Sequence, residues 1–136
     1  MQFVLNNWYL FLALIVVLAL LIAPNVMQHA YGIKSVPPTQ AVLLVNRESG
    51  VFVDVGEVTE YKTGHVPNAV NVPMSMLAQG TPQLDKYKQR PVVVVCRTGN
   101  RSLKAATVLR KRGFASVYLL AGGLTAWAKE NLPVEK

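Results

Sequence analysis

Every residue from Trp8 to Ala23 is apolar, and the wider segment from Phe3 to Ala23 breaks that character only at Asn6 and Asn7. A helix over this segment is about 30 Å long at 1.5 Å rise per residue, the thickness of a hydrocarbon core. No Lys, Arg, Asp or Glu precedes Lys34; Pro24-Asn25 supplies a stop, and Trp8, Tyr9 and Tyr31 stand where interfacial aromatics belong. The reading is an uncleaved transmembrane anchor over residues 1–27, contacting the lipid bilayer through residues 3–27. A cleaved secretory signal fits less well. The segment lacks a basic n-region, and neither Leu21-Ile22-Ala23 nor Gln28-His29-Ala30 makes a small-x-small site. Basic residues follow the span and do not precede it. The positive-inside tendency therefore predicts a single-pass protein of the cell inner (plasma) membrane, N-terminus out and remainder cytoplasmic. A lone thiol suits that reducing compartment.

In a chain of 136 residues this leaves room for one further domain. Residues 28–38, polar to mixed and stiffened by Pro37-Pro38, read as a linker, and 39–136 as the domain. Val51-Phe52-Val53-Asp54-Val55, Ala69-Val70-Asn71-Val72, Val92 to Val95 and Ser116-Val117-Tyr118-Leu119-Leu120 are compact apolar runs of strand length. Between them lie helical patterns from Thr39 to about Asn46, Glu57 to Lys62 and Ser102 to Arg112, with one or two short helices between Met74 and Arg90 and a last one carrying Trp127. Strands alternating with helices predict an α/β domain, a parallel sheet flanked by helices.

Cys96, the only cysteine, ends the four-valine run and opens Cys96-Arg97-Thr98-Gly99-Asn100-Arg101-Ser102 ahead of a helix. A thiol there faces the crevice at the carboxyl ends of the strands, where open α/β sheets hold ligands. The following loop turns backbone N–H groups toward the same point, with Thr98, Gly99 and Asn100 contributing amides and Ser102 a hydroxyl. Helix dipole, Arg97 and Arg101 are expected to favour thiolate over thiol. The predicted site is thus Cys96 as nucleophile with Arg97 to Ser102 binding an anion. One cysteine and two distant histidines, His29 and His65, form no metal-ligand cluster, and no cofactor is expected. His65 reads better as a turn histidine bonded to backbone than as a base for Cys96, and Trp127 as core.

The chain carries a formal net charge of +7. Between Arg97 and Arg112 there are six basic residues and no acid. Arg97 and Arg101 are placed to attract an anionic substrate, whereas Arg110, Lys111 and Arg112 fit a helix C-terminus; docking on anionic headgroups and a merely solvated face are the other uses of such a stretch. Nucleic acid is not an expected partner, because no aromatic stacking residue is interleaved.

Four segments, in order, resemble the rhodanese (sulfurtransferase) family over about Thr39 to Leu132. They are Val53-Asp54-Val55, Gly64-His65-Val66-Pro67-Asn68-Ala69-Val70-Asn71-Val72-Pro73, the Cys96 to Ser102 loop, and Leu120-Ala121-Gly122-Gly123 through Trp127. With the anchor, the chain is similar to a bacterial membrane-anchored single-domain rhodanese. The resemblance implies a five-stranded parallel sheet and a cysteine that carries sulfane sulfur as a persulfide. It also implies a small anionic donor such as thiosulfate and a thiol or cyanide acceptor. One departure stands out: Gly56 occupies the place where many members have arginine, leaving Arg47 or Lys62 to replace the charge. A non-enzymatic adaptor for an integral membrane partner is the alternative. A cysteine phosphatase fits poorly, since only four residues separate Cys96 from Arg101 and that family typically has five.

Overall fold

A computed structural model of the chain describes residues 1–97 and 101–136, apart from the side chains of Pro24, Met27 and Gln28. The amide cradle expected of Thr98, Gly99 and Asn100 lies outside the described residues. Two helices open the chain, α1 (Gln2–Asn6) and the 23-residue α2 (Trp8–Ala30). All described side chains of α2 are exposed. Among the described residues no helix is long and apolar enough to cross a membrane. The uninterrupted stretch of α2 with described side chains ends at Ala23, about 24 Å from Trp8 at 1.5 Å per residue.

The domain then runs β1 (Lys34–Val36), α3 (Pro38–Glu48), β2 (Val51–Asp54), α4 (Val58–Thr63), β3 (Val70–Asn71), α5 (Met74–Leu77), a 3-10 turn (Pro82–Tyr87), β4 (Pro91–Val95), α6 (Ser102–Lys111), β5 (Ser116–Leu120) and α7 (Gly123–Lys129). Five strands form one sheet in the order β1-β5-β4-β2-β3, every neighbouring pair parallel. β1 falls inside the segment expected to be linker. Lys34 and Ser35 are exposed, so an edge strand carries no apolar pattern, and only pairing with β5 (Lys34 with Tyr118, Val36 with Leu120) defines it.

Side-chain alternation along the central strand sorts the core onto two faces. Val92 and Val94 of β4 pack with Val51, Val53, Leu77, Leu84, Ala105, Leu109 and Phe114 beneath α5 and α6. Val93 and Val95 pack with Phe52, Ala41, Leu120 and Trp127 beneath α3 and α7. Phe52 and Trp127 meet edge to face with centroids 5.4 Å apart, and Trp127 Nε1 donates to the Pro133 carbonyl at 2.7 Å. β2 proceeds outward to β3, whereas β4 proceeds the other way to β5. The order of strand addition therefore reverses between β2 and β4, which opens a crevice at their carboxyl ends.

Candidate active site

Cys96 follows β4 immediately and continues its alternation, so its side chain joins Val92 and Val94 on the α6 face. It is 2% exposed. The buried Ser102 hydroxyl, on the first residue of α6, donates to Cys96 Sγ at 3.1 Å. Arg101 is the N-cap residue and makes no side-chain cap hydrogen bond. The Ser102 hydroxyl is thus spent on the sulfur.

Helix α7 holds the other side of the cysteine backbone. Leu124 N–H donates to the Cys96 carbonyl at 2.8 Å; Thr125 N–H and Oγ1 both donate to the Arg97 carbonyl at 3.0 Å. Gly123 makes this approach possible: at φ +61 a Cβ there would lie 2.3 Å from the Cys96 oxygen. Gly123 thus lets two backbones touch, while Gly122, the N-cap at φ +74, leaves room for Ala126.

A cavity of about 10 Å³, lined by Asp54, Gly56, Glu60, Gly64, Cys96, Arg97 and Leu124, sits in the crevice between β2 and β4. Polar groups wall the sulfur on this side. Asp54 ends β2, is buried, and accepts the Gly56 N–H at 2.8 Å. Burial pushes its carboxyl above the ordinary aspartate range, against the opposing pull of the Gly56 amide and the charges of His65 and Arg101. Asn71 Nδ2 donates to the carbonyls of Asp54 (3.0 Å) and Gly56 (2.9 Å), which fixes the turn between β2 and α4.

Of the expected anion-binding side chains, Arg97 is exposed and lines the cavity. Arg101 instead grips Glu60 of α4 in a two-pronged pair, Nη1 to Oε1 at 3.0 Å and Nη2 to Oε2 at 2.6 Å. That hydrogen bonding holds the Glu60 carboxyl below its ordinary range and raises the Arg101 guanidinium further. Gly56 adjoins this pair, since a Cβ there would meet Asp54 Oδ1 at 3.0 Å and Glu60 Cβ at 3.4 Å. The cations placed beside Gly56 are Arg101, through its pairing with Glu60, and Arg97, which lines the same cavity. Glu60 has no local sequence signal. Its place one turn into the helix after a strand-end acid becomes informative only beside the Cys96 loop.

His65 is occupied elsewhere. Its Nδ1 donates to the Tyr61 carbonyl at 2.7 Å, its ring stacks on Tyr61 at 3.7 Å, and Nε2 lies 3.7 Å from Glu135. The backbones of His65 and Glu135 exchange two hydrogen bonds of 2.8 Å, tying the C-terminal tail to the turn before β3. Burial, then the charges of Asp54 and Glu135, raise the Tyr61 phenol above its ordinary range.

A parallel sheet with a cysteine at the carboxyl end of its central strand, backed by a helix whose first hydroxyl reaches the sulfur, defines an α/β protein with a cysteine at the switch point of its sheet. The family model for the rhodanese-like domain matches residues 38–130, and the chain belongs to that family. YibN of Escherichia coli, an uncharacterized protein, is 33% identical over 135 residues, 98% of this chain and 94% of its own. The thiosulfate sulfurtransferase GlpE of Pseudomonas savastanoi is 39% identical over 95 residues, 69% of this chain and 86% of its own. Among solved structures, a rhodanese-related protein of Thermoplasma volcanium superposes with a TM-score of 0.67 at 26% identity, covering 75% of this chain and 97% of that one.

Proposed function

We propose that the protein is a membrane-tethered sulfurtransferase that moves sulfane sulfur through a persulfide on Cys96. The observation that carries this reading is the position of Cys96 Sγ: hydrogen-bonded by Ser102 at 3.1 Å and opening on a polar cavity of about 10 Å³. That volume holds about one water-sized centre. It is on the scale of one added sulfur atom. The Cys96 thiolate attacks the outer sulfur of thiosulfate, the S–S bond breaks, and its electron pair leaves with sulfite, giving Cys96–S–S⁻. An acceptor thiolate or cyanide then attacks the outer sulfur, forms its own persulfide or thiocyanate, and returns Cys96 as thiolate. Arg97 and the Ser102 hydroxyl stabilise the charge that moves between these sulfurs.

Tethering is supported by α2 taken whole. Its 23 residues give about 34 Å of helix at 1.5 Å per residue, of which the wholly apolar run from Trp8 to Ala23 is about 24 Å, with Phe3, Val4 and Leu5 of α1 adding to the apolar segment. Its exposed leucines, isoleucines and valines, Leu20 at 70% and Leu21 at 68% among them, form an apolar surface that water tolerates poorly. Charge asymmetry supports placing the domain in the cytoplasm with the N-terminus outside.

The detergent-solubilised full chain, incubated with thiosulfate and weighed intact, is expected to gain one sulfur atom, lose it on adding cyanide with release of thiocyanate, and gain none as Cys96→Ser. No adduct at any donor concentration would sink the enzymatic reading and leave the adaptor.

A further inference from the structure

The end of the domain opposite Cys96 is where the chain leaves helix α2, and it is strongly basic. Only Tyr31, Gly32 and Ile33 separate the last residue of α2 from the first of β1. Fully stretched, that connection reaches about 14 Å. The junction is also pinned. Arg110 Nε donates to the Tyr31 carbonyl at 2.8 Å, its Nη1 donates to the carbonyls of Phe114 and Ala115 at 2.7 and 2.6 Å, and Lys111 Nζ lies 5.6 Å from the Tyr31 ring centroid. Helix α6 returns from the carboxyl end of β4 to the start of β5, so Lys111 and Arg112 at its close stand at the base of the sheet. Lys88 and Arg90 join them there: the Lys88 carbonyl accepts the Ala115 N–H at 2.8 Å, and Arg90 directly precedes the first residue of β4. Lys86 and Arg90 flank the Tyr87 ring at 5.3 and 5.7 Å.

These cations are poorly compensated by the protein. Among the described residues the only ion pair on this face is Lys88 with Asp85, at 4.0 Å and exposed. Arg112 Nη1 is buried with no hydrogen-bond partner. A cluster of one sign within about a Debye length, 8–10 Å, of a charged surface responds to it strongly, and juxtamembrane basic clusters are drawn to anionic lipid.

We propose that Lys86, Lys88, Arg90, Lys111 and Arg112, at the base of the sheet where Tyr31 follows α2, form a docking face for the anionic headgroups of the bilayer that holds α2. Docking there turns Cys96, one β4 length or about 16 Å away along the sheet, toward bulk solvent, where soluble donors and acceptors arrive. The inference rests on α2 being a membrane anchor.

The test uses the full chain in nanodiscs of pure phosphatidylcholine or of phosphatidylcholine with phosphatidylglycerol, labelled briefly with a water-soluble amine-acylating reagent and mapped by mass. In the anionic discs Lys86, Lys88 and Lys111 are expected to react at least about fivefold more slowly than in the neutral ones, and high salt is expected to restore their rates. Lys104 and Lys129, elsewhere on the domain, serve as internal references and should not change. An Arg90→Glu, Lys111→Glu double variant is expected to lose the protection of Lys86 and Lys88 while Cys96 still takes up sulfur from thiosulfate, which shows that it is folded. Equal rates in both discs, or protection indifferent to salt, overturns the docking face alone. A chain that does not co-elute with discs of either composition overturns the anchor, and the docking face with it.

Discussion

Arg101 and Ser102 are neighbours in the chain and serve opposite sides of one loop. The serine hydroxyl turns inward to Cys96 Sγ, while the arginine reaches across to α4 and closes on Glu60. The Glu60–Arg101 pair is partly exposed, at 33% and 39% of the side chains, so its worth lies more in fixing the loop than in net stability. Glu60→Gln is expected to lower kcat/KM for thiosulfate about tenfold, equivalent to about 1.4 kcal/mol of lost positioning, with Glu60→Asp recovering part of it; steady-state thiocyanate assays check both. The same pair sets a pH response. Because Arg101 holds the Glu60 carboxyl below its ordinary range, its stabilisation is complete above about pH 4.3 and is lost as pH falls through the lower folded-state value. Thermal melts of Glu60→Gln should show a weaker acid dependence in that window. Asp54 has the opposite sign. Burial raises its carboxyl, so its contribution is full below about pH 3.9 and is lost as pH rises through the folded-state value. Asp54→Asn, which keeps an oxygen for the Gly56 amide, is therefore expected to melt a few degrees higher than the parent at pH 7, the gap closing toward pH 3. A lower melting point at pH 7 would contradict this account.

At the scale of elements, the site is an assembly of two termini, the carboxyl end of β4 and the start of α7, joined by backbone hydrogen bonds from Leu124 and Thr125 to the carbonyls of Cys96 and Arg97. Such a joint tolerates no side chain between its halves. Gly123→Ala places a methyl 2.3 Å from the Cys96 oxygen at a φ of +61, which forces α7 away from the loop. The expected result is loss of sulfur uptake by Cys96 together with a lower melting temperature, read by intact mass and calorimetry. Strands β2 to β5 and α6 were visible in the chain because their apolar runs and spacing match those elements; Gly113, at φ +96, closes α6 as its C-terminal glycine. β1 was not visible: an exposed edge strand is defined by the partner's backbone and not by its own side chains.

For the whole molecule, the parallel sheet puts the exit of α2 and the Cys96 loop at opposite ends. If α2 is a membrane span, the full chain in native membranes resists extraction by alkaline carbonate and high salt and yields only to detergent; fractionation and immunoblotting check this. Release by carbonate alone would mean that α2 does not span. The long apolar run and the cysteine at the end of a valine strand were both legible in the sequence, since each depends only on side-chain type and local spacing. So was the family resemblance of the ordered motifs. Only the tertiary structure joined Arg101 to Glu60, 41 residues away, turned the Ser102 hydroxyl onto sulfur, and brought Lys88 and Arg90 to the same end of the sheet as Lys111 and Arg112. Those pairings are made by the sheet order, which brings β2 beside β4 and β5 beside β1, and strand order leaves no trace in local periodicity.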